Sequence, residues 1–265
     1  MISCDDFSAR CLREICELAR KMHADLQSLA LPELDLGGCL LLGNSYARSH
    51  YIFCGLNPGL IGPGKHPFVT ELCSEPPFNF PFKNSPHQNG ELPYFQNCQA
   101  FLDRHKDIGT WFGRGVTSTF LSPWRSANLV GWRSLNTRTN GKVLRFSGEI
   151  LSKMIEHHQA ELLIVAGKAA LPSLKEIVHA FSHENRLGDP CCCGGPGGTY
   201  QWSKVQLTIA DRNVTVLHIP HFSRANSQPI MDECAEWLRN HLITFGLTGS
   251  KGSPAPAPDV ESAPL

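Results

Sequence analysis

The apolar positions between residues 5 and 29 advance in steps of three and four, at Phe7, Cys11, Ile15, Leu18, Met22 and Leu26. That period predicts an amphipathic helix. Lys142 to His158 repeats it with Val143, Phe146, Ile150 and Met154, and about 228–245 with Ile230, Cys234, Trp237, Leu238 and Leu242. A shorter helix is predicted over 168–181. Between these segments lie short apolar runs at 50–54, Val116 to Leu121 and Leu162 to Gly167, which read as strands. The last is almost unbroken by polar residues, as suits a central strand covered on both faces. Val205 to Ile209 and Val214 to Leu217 flank Asp211-Arg212-Asn213 and read as a hairpin or strand pair. Strands alternating with helices predict an α/β fold. The expectation is a single domain over residues 1–246, with a mostly parallel sheet of four to five strands and helices on both faces. Residues 247–265 collapse to Gly, Ser, Pro and Ala and are expected to be a disordered tail. Leu60 to about Asn97 shows no period and is rich in Pro, Asn, Gly and Phe, which predicts a long loop. Its aromatics, Phe68, Phe78, Phe80 and Phe82, favour an ordered one.

Composition changes this picture only locally. The chain has 265 residues, enough for a substantial core, and balances 24 Lys and Arg against 24 Asp and Glu. Overall charge therefore does not announce a nucleic-acid binder, and such a role would need a local patch. One exists: between Ile108 and Gly148 stand Arg114, Arg125, Arg133, Arg138, Lys142 and Arg145, with no acidic residue. A one-sign segment in a neutral chain fits phosphate contacts, and equally a solvated face neutralised from elsewhere. No run of eighteen apolar residues offers a membrane span, and the N-terminus lacks a secretory layout, so a cytoplasmic protein is expected. Of eleven cysteines, Cys11, Cys16, Cys54 and Cys234 fall in apolar patterns and read as small buried hydrophobes. Cys191-Cys192-Cys193 runs into Gly194-Gly195-Pro196-Gly197-Gly198 and reads as a flexible, thiol-bearing loop. Paired C-x-x-C spacing is missing, so neither a metal nor another cofactor is expected.

In open α/β sheets, ligands bind outside the carboxyl ends of the strands. Three such ends carry unusual polar groups. Tyr51-Ile52-Phe53 leads into Cys54-Gly55-Leu56-Asn57-Pro58-Gly59-Leu60, which locks a polar Asn among glycines and a proline. The second strand ends in Ser122-Pro123-Trp124-Arg125, and Val214 to Leu217 ends in His218-Ile219-Pro220-His221-Phe222-Ser223-Arg224. Each alone is ordinary turn chemistry. An Asn and a His at two strand ends facing one cleft is a more specific arrangement.

Gly55-Leu56-Asn57-Pro58-Gly59 after a strand resembles the first motif of the uracil-DNA glycosylase superfamily, G-[IM]-N-P-G in its mismatch-specific and single-strand-selective branches. His218 to Ser223 is similar to the second motif, typically H-P-S-P-L-S, matching at the first and sixth positions. Ile164 to Ala170 resembles the strand-Gly-helix segment between them, and the likeness runs in order over residues 45–244. The resemblance implies a base flipped into a pocket, with positive charge building on the sugar and negative charge on the departing base. It implies that Asn57 orients the water and that His218 sets a donor against the base anion. Gly55, Leu56, Pro58, Gly59 and Ser118 would line the base pocket, and Phe68 would stack on the base, with Phe82 its rival. Phe222 would wedge into the duplex, and Arg224 would meet a phosphate or the orphan base. His221, Ser223, Arg125 and Lys168 complete the implied DNA contacts. The first motif offers no Lys for a Schiff base, so the implied reaction is monofunctional and leaves an abasic site. The implied partner is DNA, duplex or single-stranded, and the expected state is a monomer.

In the uracil-specific branch the position of Gly59 is a Tyr that blocks substituents at C5 of the pyrimidine. The family's uracil-reading Asn has no clear counterpart in Val116 to Leu121, where Thr117, Ser118 or Thr119 offers a hydroxyl instead. Both departures point away from plain uracil and towards a pyrimidine with a bulky C5 substituent, the alternative being excision of uracil, 5-hydroxymethyluracil or a mismatched base in repair. The superfamily includes phage-defence members acting on glucosylated 5-hydroxymethylcytosine. Lys83, Asn84, His87, Gln88, Asn89, Glu91, Asn97 and Gln99 supply hydrogen-bonding groups for such a sugar. Two rivals remain, a nucleotide-handling enzyme and a catalytically silent DNA-binding module. The first would want a Gly-rich phosphate loop opening a helix, whereas Thr199-Tyr200-Gln201-Trp202 after the glycines reads as strand.

Overall fold

The computed structural model describes residues 4–44, 50–56, 68–73, 100–124, 126, 129–189, 191–194, 201–221 and 228–245. Its centre is β5 (Leu162–Ala166), in which all five residues are buried. β2 (Tyr51–Gly55) and β9 (Arg212–Ile219) pair with it in parallel on either side, and β4 (Val116–Phe120) pairs in parallel with β2. Beyond β9 the sheet turns antiparallel. β8 (Gln201–Ile209) leads into the turn at Ala210 and Asp211 from which β9 returns, and β6 (Arg186–Leu187) and β7 (Cys191–Gly194) both pair antiparallel with β8. The order is β4-β2-β5-β9-β8-β6, with β7 on β8.

This is an α/β sheet, but larger and more mixed than the four or five mostly parallel strands expected, since seven strands take part. The excess lies in the Cys191 region. Cys191 to Gly194 is a strand in register with Gln201 to Lys204, not a loose thiol-bearing loop. A flanking strand supplies the backbone partners that the local composition does not advertise.

Period-two alternation splits the core between the faces. Phe53, Leu162, Ile164, Ala166, Leu217 and Ile219 point to one side. There they meet Phe101, with Ile108 and Trp111 of α2 (Lys106–Gly115) and Met231, Cys234 and Leu238 of α6 (Gln228–Leu242). Ile52, Cys54, Leu163, Val165, Val214 and Val216 point to the other. They pack on Trp132 of α3 (Leu129–Arg138), Leu151 and Ile155 of α4 (Lys142–His158), and Leu174 and Ile177 of α5 (Ala170–Phe181). Each such aliphatic side chain contributes about 1.5–3 kcal/mol on full burial. Cutting Ile164 back to Ala would cost about 2–5 kcal/mol. Helices thus cover both faces, as expected.

α1 (Cys4–Gln27) forms a further layer, with Ile15, Ala19, Met22 and Leu26 packed on Val143, Phe146, Ile150 and Met154 of α4. The apolar pattern predicts this helix and α4, α5 and α6, but not α2 or α3. It also places 68–73 in the long loop. Instead β3 (Phe68–Cys73) pairs in parallel with β1 (Gly38–Asn44), forming a second, two-stranded sheet. An antiparallel bridge from Gly38 to Trp124 ties this sheet to the segment following β4. The tail after residue 246 lies outside the described residues.

Candidate active site

The chain visits the parallel strands in the order β2, β4, β5, β9, while their places across the sheet run β4-β2-β5-β9. After β2 it adds β4 on one side, then crosses back to add β5 on the other. Such a reversal opens a crevice at the carboxyl ends of the two strands flanking it, where ligands of open α/β sheets bind. Gly55 ends β2 and Ala166 ends β5, so the crevice mouth is bounded by Leu56 and Gly167.

Two backbone bonds continue the β2–β4 pairing beyond the strands. Leu121 N–H donates to Gly55 O and Ser122 N–H to Leu56 O, each at 2.9 Å. The exit of β2 therefore runs beside Ser122, and the first two strand ends singled out in the sequence lie together. Asn57, Pro58 and Gly59 follow directly and lie outside the described residues, as do Phe82, Arg125, Phe222, Ser223 and Arg224. Gly55 has a local reason to lack a side chain, because an added Cβ would stand 3.3 Å from Cδ1 of Phe120. Leu56 is half-buried and packs on the core face that holds Trp132 and Leu174. Phe68 opens β3 opposite Gly38, and Ser118 lies in β4 opposite Phe53; nothing further is described of their side chains. Thr119 is buried and stands opposite Cys54.

The third strand end, that of β9, meets the end of β5 at Gly167. Its N–H donates to Ile219 O at 2.9 Å, and its carbonyl accepts from Ala170 N–H at 2.9 Å. The same carbonyl lies 2.9 Å from Nε2 of His218. As a carbonyl can only accept, Nε2 carries the proton and donates. His218 is in register with Val165 and with Ser203 and is 7 % exposed. Burial pushes its pKa below the usual histidine value, partly opposed by the bond to Gly167. The ring is thus neutral with Nε2 engaged. His221, three residues on, is half-buried, and its ring lies over Gly167: a Cβ there would stand 3.3 Å from Cδ2 and 3.4 Å from Cβ of His221. Gly167 also holds φ +109°, a conformation that favours glycine. The next residue, Lys168, is exposed at the same strand end.

Two cations of the basic segment are neutralised from elsewhere in the chain. Arg138 pairs with Glu33, and Lys142 Nζ lies 3.2 Å from Asp25. Both acids precede the segment in sequence, on or just after α1, which is why local charge counting missed them. Arg145 sits over the Phe146 ring, 5.5 Å from its centroid, and Arg133 is exposed. Cys16, Cys54 and Cys234 are buried, as expected, and burial pushes the Cys234 thiol up to about 12.

These features define an α/β protein with helices on both faces and a switch-point crevice bearing two histidines and a glycine. Among the described residues no helix is long and apolar enough to cross a membrane. Neither the family models nor the curated proteins include a match to this chain.

Proposed function

We propose that the protein is a monofunctional DNA glycosylase that excises a C5-modified pyrimidine, such as glucosylated 5-hydroxymethylcytosine, from DNA. One observation carries this reading. The strand order β4-β2-β5-β9 brings the end of β2, which leads into Asn57, and the His218 to His221 end of β9 to either side of Gly167. A water-orienting amide and an imidazole are the two groups that the resembled family brings to hydrolysis of an N-glycosidic bond.

In this reading the flipped base enters the crevice and the bond from its nitrogen to C1′ breaks. The bonding electron pair leaves with the base, and the cationic sugar is attacked by a water held by Asn57. The water oxygen bonds to C1′, its proton goes to solvent, and the base anion is neutralised by a proton. The products are the free base and an abasic sugar. A neutral imidazole N–H beside the departing base stabilises the charge developing there. Phe222 and Arg224 fill the gap left in the duplex, and Lys168 meets a phosphate. The absence of a side chain at Gly59 leaves room at C5 of the ring.

The test is base release from duplex and single-stranded oligonucleotides containing uracil, 5-hydroxymethyluracil, 5-hydroxymethylcytosine or its glucosylated form, read after alkaline cleavage. Release of the C5-modified bases with little uracil release is expected. Release from uracil DNA alone overturns the substrate, and no release from any of them overturns the glycosylase reading.

A further inference from the structure

The two histidines of the β9 end are not equivalent. His218 is buried, and its Nε2–H is committed to the Gly167 carbonyl at 2.9 Å. To donate to a ligand it would have to abandon a buried carbonyl. His221 lies beyond the strand, half-buried, with its Cβ and Cδ2 against the place a side chain on Gly167 would take, at the crevice mouth. The site requires Gly167 twice over, since a side chain there would be strained at φ +109° and would press on the His221 ring.

We propose that His218 is a positioning residue, which clamps the Gly167 carbonyl so that the bare glycine forms a seat for His221, and that His221 is the imidazole presented to the ligand. This rests on the glycosylase reading for the identity of the ligand, and it moves the donor role from His218 to His221. The clamp joins the ends of β5 and β9 by a side chain where the backbone ladder stops. Gly167 N–H to Ile219 O is the last rung, and His218 Nε2–H to Gly167 O lies just beyond it. Losing the clamp leaves the Gly167 carbonyl held by Ala170 N–H alone, which loosens the glycine turn and shifts the ring resting against it. A misplacement of about 1 Å at a reacting group can cost roughly 100-fold in rate.

Four variants separate the roles. Glutamine places an amide N–H near the position of histidine Nε2, so His218→Gln restores the clamp and should retain most of the single-turnover base release. His218→Leu should lose about 10–100-fold with unchanged DNA affinity. His221→Ala should lose about 100-fold or more, and Gly167→Ala should resemble His218→Leu. If His218→Gln is as inactive as His218→Leu while His221→Ala remains active, His218 is itself the donor and the proposal is overturned. Imidazole nitrogen NMR tests the seat without any activity. His218 should appear as a neutral Nε2–H tautomer, and His221 resonances should shift in His218→Leu and Gly167→Ala but stay in place in His218→Gln. His221 resonances indifferent to all three changes overturn the seat, even if the protein cleaves no base. A wild-type protein inactive on every substrate but showing these shifts would refute the glycosylase reading and leave the seat standing.

Discussion

A methyl group added at Gly148 would stand 2.5 Å from Cβ of Phe181 and 2.8 Å from the Ile177 carbonyl. Gly148 is therefore the point where α4 and α5 cross at closest approach, and two of its obstacles cannot swing aside. Gly148→Ala should destabilise the protein by about 1–3 kcal/mol. Gly141 is the contrast: it holds φ +73°, but an added Cβ meets nothing within 4 Å. Gly141→Ala should cost only about 1 kcal/mol, from backbone strain alone. Denaturant melts of both variants check the order, and equal losses would show that α4 and α5 yield where Gly148 sits.

Acid should weaken the fold through its buried histidines. His23, His105 and His218 all have pKa values lowered from the usual 6.5, each chiefly by burial. The folded state therefore binds fewer protons than the unfolded chain between the folded and unfolded values. The stability these neutral rings contribute is present above pH 6.5 and is lost as pH falls through their lower folded values. Thermal unfolding should move to lower temperature between about pH 7.5 and pH 5.5, with a smaller shift in His218→Gln. A melting temperature flat across that range would show that other groups compensate.

Much of this frame is legible in the sequence, for reasons visible in particular residues. α4 spans the predicted 142–158, because its apolar stripe is strong and Gln159 ends it in a left-handed turn at φ 51°. α3 was not foreseen, because Trp132 and Leu135 are its only buried apolar residues and they do not make a run. β1 and β3 each take their hydrogen bonds from a strand distant in sequence. The crevice was expected from the polar strand ends, yet the commitment of His218 to Gly167 is a tertiary contact across 51 residues. No spacing rule distinguishes a buried clamp from a donor three residues along.

Arg138 and Lys142 should contribute little to any DNA affinity, because they already face Glu33 and Asp25. Lys168 is exposed at the crevice mouth. A phosphate contact from it adds about 0.9 to the slope of log affinity against log salt. Lys168→Ala should flatten the slope by about that amount, while Arg138→Ala and Lys142→Ala leave it unchanged. Fluorescence anisotropy across a salt series reads all three. A slope that falls with Arg138 or Lys142 would mean that those ion pairs open on binding.

If the proposed glycosylase reading holds, substrate choice should turn on Gly59. In the resemblance drawn from Gly55 to Gly59, a Tyr at this position bars C5 substituents, and the hydrogen in its place leaves them room. Gly59→Tyr should therefore suppress release of the C5-modified base while sparing uracil, a change of selectivity rather than a uniform loss. Steric exclusion acts through a filled pocket, so its effect should appear in the ratio of kcat/KM values for the two bases. A conformational defect would lower both bases together, and Gly59→Ala separates the cases: its single methyl disturbs the turn as any side chain does, without reaching a ring substituent. If Gly59→Ala alone reverses the preference, the glycine serves the backbone and the C5 argument fails. If only the Tyr variant reverses it, the missing side chain sets which pyrimidine enters.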